Sequence, residues 1–421
     1  MVSPGAALRA VRERPLVRQL ILLYSATVLV GAGQGTLVPT IPALDDAFGV
    51  SAGAAAQVIT AYGIGRFGGM VVGGTVVDRF GPRLAVTIGP MILAASALAA
   101  LLTPWFVILL GIVFILGIGD AFWQMGREIT GVELVRSDQR GRLLSGFMGF
   151  HAVGQSTGAV VGGLITDNFG YRGVFVFYLA VALTVLVLGR MMVTPPHQRH
   201  EAPARAGAVR RGPLAWVGGL REVFLAIDPG LRLSYAIFVF ATLSMMTYRM
   251  VYQAIMPVYS ADELGMSSTQ VGLIFSIIGF CSLLMIVPSG LISDKKGRKW
   301  ATVPSTLIPG VAFMLLPLST VPLHMVFIGV GIGIANGLSL GSIATSTYDV
   351  SPPHVRGRLQ AVRRTVAEVG GIGGPMLGGY LTNVHGPGMA FWATGPLALV
   401  AAVLLFFVAK ETLVRSRREV G

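Results

Sequence analysis

Asp120 and Arg66 are charged side chains set deep inside long apolar runs, where each needs a partner or a water path. A carboxyl in such a place is costly to ionise, and a neighbouring guanidinium makes ionisation easier, so the pair has the chemistry to take up and release a proton. Asp120, Trp123, Gln124 and Arg127 fall at offsets of three, four and seven and share one helix face. At a rise of ~1.5 Å per residue, Arg66 lies about 18 Å from Asp78, and Asp120 lies about 20 Å from Glu133. The two opposite charges therefore reach one depth. By the same count His151 and Glu368 lie about 14 and 15 Å from Arg142 and Arg358. A charge inside hydrocarbon costs at least ~2.5–3.5 kcal/mol and normally faces a cavity or a partner. Two readings stand. Arg66 and Asp120 form a structural ion pair, or Asp120 carries a proton that Arg66 switches on and off. Glu368, four residues after Arg364, is the alternative carrier, and in that reading Asp120 is structural.

The elements that position these residues follow from composition. Of 421 residues 53% are apolar and 12% charged. A bilayer core of ~30 Å takes about 20 mostly apolar residues per helix. Twelve such blocks run from 16–43 to 388–409. Backbone polar groups cannot stay unpaired in hydrocarbon, so the blocks are expected to be helices. Helices of a large soluble core would show a polar stripe that most of these lack. The expectation is an all-α polytopic membrane protein with twelve transmembrane helices.

The twelve are two sets of six. Gly74–Arg83, GTVVDRFGPR, returns as Gly290–Lys299, GLISDKKGRK, 216 residues later. The same displacement carries Glu133 onto Asp349, Asp120 onto Asn336, and Gly154, Gly158 and Gly162 onto Gly370, Gly374 and Gly378. The domains expected are two six-helix bundles, 1–193 and 231–421, joined by a proline- and arginine-rich linker, 194–230. Within the linker Trp216, Leu220, Val223, Phe224 and Ile227 can form one face of a helix lying on the membrane, or the stretch can be disordered.

Charge fixes the orientation. With the N-terminus inside, only Arg66, Arg172 and Arg249 of the 32 lysines and arginines fall outside cytoplasmic segments. That is the positive-inside pattern, and it places both termini in the cytoplasm of a plasma membrane. The net charge of +13 then reflects topology and attraction to anionic lipid; no nucleic-acid partner is implied. Enzyme classes fall away as well. Cys281 is the single cysteine, the six histidines show no metal-ligand spacing, and there is no Walker A sequence or nucleophile elbow. No metal and no cofactor are expected.

Polar residues elsewhere in the spans mark the expected pathway. Gln34 lies on the first span ahead of Pro39 and Pro42, whose rings loosen a helix and free carbonyls. Arg249 stands among Tyr248, Tyr252 and Gln253 on the seventh span.

A doubled G-x-x-x-D-R-x-G-x-R sequence after the second and eighth spans resembles the major facilitator superfamily of transporters over the whole chain. The resemblance implies two bundles around a central cavity that opens alternately to either side, working as a monomer. Gly74 and Gly290 permit close helix approach, Gly81 and Gly297 permit the turn, and Asp78 or Asp294 can pair with an opposing helix N-terminus. The family also pairs a basic residue of the motif with an acid ending the fourth or tenth span, here Glu133 or Asp349. Arg298 keeps that basic position; the first half has Pro82 there, with Arg79 or Arg83 as substitutes. Pro39-x-x-Pro42 and the glycines from Gly154 and Gly370 resemble twelve-helix drug and metabolite exporters. Ala159 and Val113 depart from those exporters' proline and arginine. The function implied is proton-coupled export of a small organic solute. Uptake by symport or facilitated diffusion is the alternative, and a membrane receptor that carries nothing is a minor one.

Overall fold

The computed structural model describes residues 4–136, 139–192, 220–339 and 342–412. Among them all regular structure is helical. In chain order the long helices are α1 Pro4–Phe48, α2 Gln57–Phe80, α3 Pro82–Leu102, α4 Phe106–Leu134, α5 (140–169) and α6 (171–191). They continue as α7 Arg232–Asp262, α8 Ser268–Leu284 with Ile286–Lys295, α9 Lys299–Leu315, α10 Pro322–Ser339 with Ser342–Asp349, α11 Arg356–His385 and α12 Pro387–Phe407. Among the described residues seven stretches, one of them the α5–α6 pair, are long and apolar enough to cross a bilayer; α8 qualifies as two pieces bent by 41°. The remaining three, α2, α7 and α11, are richer in glycine, polar or charged residues.

Local chemistry sets the corners. α2 and α3 meet at Gly81, whose φ of 83° lies in the region an L side chain avoids, and Pro82 then takes the first helical position. Gly386 and Pro387 repeat the device between α11 and α12. Pro82 therefore opens a helix, which accounts for its presence where the second half has Arg298. Pro39 and Pro42 leave α1 helical through to Phe48. In the same stretch Thr36 donates to Gly33 O and Thr40 to Thr36 O, both at 2.7 Å.

Contacts group the chain into two compact units, Met1–Gln198 with Pro257–Gly279, and Arg199–Met256 with Phe280–Gly421. In the first, α1 and α5 approach through glycine. A Cβ at Gly31 would meet His151 O at 2.5 Å, and one at Gly162 would meet Thr36 Cα at 2.5 Å. Leu23 and Val30 of α1, Trp123 of α4, Phe147 of α5 and Val185 of α6 form one core cluster. In the second unit Phe313 packs edge-on against Tyr248 and Phe391, and Gly370 lies against Leu243 O on α7. Of the linker face, a short helix Leu220–Leu225 is present with Val223 and Ile227 buried and Phe224 exposed. Trp216 lies outside the described residues, as do Arg415, Arg417 and Arg418 of the tail.

Candidate functional site

Asp120 is 2% exposed on α4 and is approached from two helices. Gln34 of α1 donates Nε2–H to Oδ1 at 2.5 Å. Arg66 of α2 brings Nε to 3.4 Å from Oδ2, an ion pair whose angle is too poor for a hydrogen bond. Glycine makes the second approach feasible, since a Cβ at Gly117 would stand 2.8 Å from the backbone N of Arg66. Each carboxylate oxygen thus has its own contact, one neutral and one cationic.

Further polar side chains extend this pair along α4. Arg66 Nη2 donates to Gln124 Oε1 at 2.7 Å, and Gln124 Nε2 donates to Glu128 Oε1 at 3.0 Å. Arg127, buried, sits 3.6 Å from the same Glu128 oxygen, donates to Thr27 Oγ1 at 3.4 Å and lies 4.8 Å over the Phe147 ring. Gln155 of α5 donates to Gln34 Oε1 at 3.2 Å, so α1, α2, α4 and α5 are joined by one chain of polar contacts. Tyr62, Tyr178 and His151 lie within electrostatic range of Asp120. Among the described residues the Tyr62 and Tyr178 hydroxyls, His151 Nδ1 and Trp123 Nε1 are buried without a hydrogen-bond partner. An unpaired buried polar group costs about 1–3 kcal/mol, so each of these atoms would gain from a polar partner.

The second unit repeats the link between its first and fourth helices with different chemistry. Tyr248 OH donates to Asn336 Oδ1 at 3.2 Å, and Arg249 Nε donates to the same oxygen at 2.9 Å. Arg249 Nη2 reaches Asn336 O at 3.2 Å and Ser339 Oγ at 2.6 Å. A neutral amide therefore stands where α4 has Asp120. Glu368 is half-buried on α11.

At the motif of the second half, Arg298 joins three groups: Asp294 Oδ1 at 2.7 Å, Ser293 Oγ at 2.9 Å and Asp349 Oδ2 at 3.3 Å. Glu411 caps the start of α9 through the amides of Arg298 and Lys299. Gly297 turns with φ 128°, and Gly290 has open space at its Cβ position. In the first half Gly74 faces the Met125 side chain. Asp78, Arg79 and Arg83 are exposed, and Asp78 has no hydrogen bond or ion pair among the described residues. Glu133 is exposed too.

Five residues around Asp120 carry no mark in the sequence analysis: Glu128, Thr27, Gln155, Tyr62 and Tyr178. Glu128 had a signal, lying four residues beyond Gln124 on the same face. Gln155 sat inside a glycine run that drew attention to backbone packing instead. Thr27 and Tyr62 belong to apolar stretches that mark no site until α1, α2 and α4 are assembled.

This arrangement on twelve helices can be set beside known proteins. The model of the Major Facilitator Superfamily matches residues 23–253 and again 237–420. The chain belongs to the Major Facilitator Superfamily. It is similar to the lincomycin resistance protein of Streptomyces lincolnensis, 28% identical over 203 residues, covering 48% of this chain and 40% of that one, so it spans less than half of that relative. With the chloramphenicol resistance protein of Streptomyces lividans it shares 25% identity over 400 residues, 92% of this chain and 95% of that one. A crystal structure of a D-xylose–proton symporter superposes with a TM-score of 0.74 at 18% identity, covering 94% and 98% of the two chains, which shows a common fold. As a member of the superfamily, the chain is a multi-pass membrane protein.

Proposed function

We propose that this transporter exports a small organic solute in exchange for protons, with Asp120 as the proton-bearing group and Arg66 as its switch. One observation carries the reading: a nearly fully buried carboxyl with Gln34 on one oxygen and Arg66 on the other. A guanidinium beside a carboxyl favours its charged form and burial disfavours it, so movement of Arg66 between Asp120 and solute would tie proton occupancy to solute binding. Arg66 can make that exchange because about a third of its side chain is exposed and Gln124 offers it a second acceptor. Export is supported by the two resistance proteins named above, and cytoplasmic termini in a plasma membrane by the arginine and lysine distribution.

The test is solute movement in liposomes carrying the purified protein, with chloramphenicol and lincomycin as probes and an imposed pH gradient. Wild type should accumulate at least one probe against its gradient, and Asp120→Asn should only equilibrate it. Accumulation by Asp120→Asn at the wild-type level would move the proton to Glu368.

A further inference from the structure

A buried carboxyl that takes up a proton needs a hydrogen-bond acceptor for it, and the side chains nearest Asp120 mostly offer donors. Gln34 turns Nε2–H to Oδ1 and its own oxygen to Gln155. Arg66 and Arg127 carry N–H groups only, as does the indole of Trp123. With Oδ1 held by an N–H, an added proton sits on Oδ2, which accepts no hydrogen bond among the described residues.

Two hydroxyls are placed to accept it. Tyr62 of α2 lies beside the Asp120 carboxyl, and Tyr178 of α6 is within electrostatic range of both. Each OH is buried and without a hydrogen-bond partner among the described residues. A phenol both donates and accepts, so it can serve a protonated acid, which a guanidinium cannot. Tyr62 and Arg66 stand four residues apart and share one face of α2. α4 passes that face closely: a Cβ at Gly117 would fall on Tyr62 O and stand 2.8 Å from Arg66 N. Tyr178 comes from the α1 side, its ring 3.2 Å from a Cβ placed at Gly33. The other titratable groups near Asp120 are more distant. His151 of α5 sits with Thr27 and Arg127, about 10 Å along α4, and Glu128 lies beyond Gln124. The single titratable residue of α3, Arg83, is exposed at its start. The repeat supplies a control, its register still held at Gly170 and Gly386, which both turn with positive φ. Displaced by 216 residues, Asp120, Tyr62 and Tyr178 become Asn336, Ile278 and Thr394. Ile278 has no hydroxyl, and Thr394 donates its own to Ala390 O at 2.7 Å. Where the carboxyl is absent, so are the two phenols.

We propose that Tyr62 and Tyr178 are positioning residues for the proton of Asp120, an inference that rests on Asp120 as the proton-bearing group. With Arg66 at Oδ2 both hydroxyls go unused. Once Arg66 has moved to solute and Oδ2 is protonated, its O–H donates to the Tyr62 oxygen, and the Tyr62 O–H turns to the Tyr178 oxygen. Neither tyrosine gives up its proton; each phenol only rotates. The pair therefore favours the acid selectively, because it bonds in that state and not in the Arg66-paired one.

The experiment needs no solute. It reads the carboxylic C=O stretch of protonated Asp120 in pH-difference infrared spectra of the purified full chain in lipid, assigned by its loss in Asp120→Asn. Removing a bond made only by the acid makes protonation harder, so the pH midpoint of the band should fall. A net neutral hydrogen bond corresponds to about three- to tenfold in an equilibrium constant, so Tyr62→Phe should lower the midpoint by about half a pH unit or more. Tyr62→Phe with Tyr178→Phe should lower it further, and Tyr178→Phe alone gives the readout if Tyr62→Phe does not fold. Thermal unfolding at neutral pH should not fall in these variants, because the Arg66-paired state loses no bond. An unmoved midpoint in every folded tyrosine variant would overturn the proposal, the more so if the unfolding temperature dropped, which is what a purely structural role predicts. The two readings fail differently. Full retention of the bands in Asp120→Asn would remove the carrier itself, whereas loss of a band there with an unmoved midpoint in the tyrosine variants would refute the tyrosines alone.

Discussion

Arg66 and Asp120 should be energetically coupled, and by an amount that separates a working pair from mere proximity. At 3.4 Å two unit charges attract by about 5 kcal/mol at an effective dielectric near 20. Arg66 keeps 35% of its side chain exposed, so solvent screening and the cost of desolvating Asp120 reduce the net coupling to about 1–2 kcal/mol. The perturbations are Asp120→Asn, Arg66→Met and the double variant. Asp120→Asn removes the carboxylate facing the guanidinium, leaves the Arg66–Gln124 bond in place, and should cost about 2 kcal/mol. Arg66→Met removes the charge facing Asp120 while the carboxyl keeps Gln34, and should cost about 1 kcal/mol. The double variant removes both charges at once and should lose no more than about 2 kcal/mol, less than the sum of the singles. Denaturant unfolding of the purified proteins in detergent measures each value. Additivity within about 0.5 kcal/mol would refute the pairing, because independent sites add to that tolerance.

Three further outcomes follow from particular contacts. Gly162→Val inserts atoms where Thr36 Cα stands 2.5 Å from a Cβ, so thermal unfolding in detergent should fall by the equivalent of about 1–3 kcal/mol or the bundle should fail to assemble. Arg298→Ala and Asp294→Asn should slow transport severalfold while Pro82→Arg changes it little, because Arg298 bridges Asp294 and Asp349 whereas Pro82 only opens α3; wild-type turnover in both second-half variants would count against this. Arg249→Met should loosen α7 from α10 by removing three hydrogen bonds, seen as a fall in unfolding free energy of about 1–3 kcal/mol, with Arg249→Lys recovering part of it.

The fold was legible because the signals that specify it are one-dimensional. Apolar block length, the 216-residue displacement of Gly74–Arg83 onto Gly290–Lys299 and the arginine asymmetry need no tertiary knowledge. Asp120 and Arg66 were also legible, since helical rise alone puts them at one depth. What a single strand of sequence hides is which face meets which. Gln34 was visible as a polar residue on α1, but its bond to Asp120 depends on how α1 and α5 interlock at Gly31 and Gly162. Arg249 offered no clue that it would bind Asn336, because both belong to helices whose rotation is set by packing.

The central claim is that protonation of Asp120 couples a pH gradient to solute movement. The direct measurement is pH-gradient-driven accumulation of chloramphenicol and lincomycin in liposomes, compared between wild type and Asp120→Asn with counterflow exchange as the control for binding. Asp120→Asn should retain exchange and lose accumulation. Accumulation at the wild-type level in Asp120→Asn would contradict it.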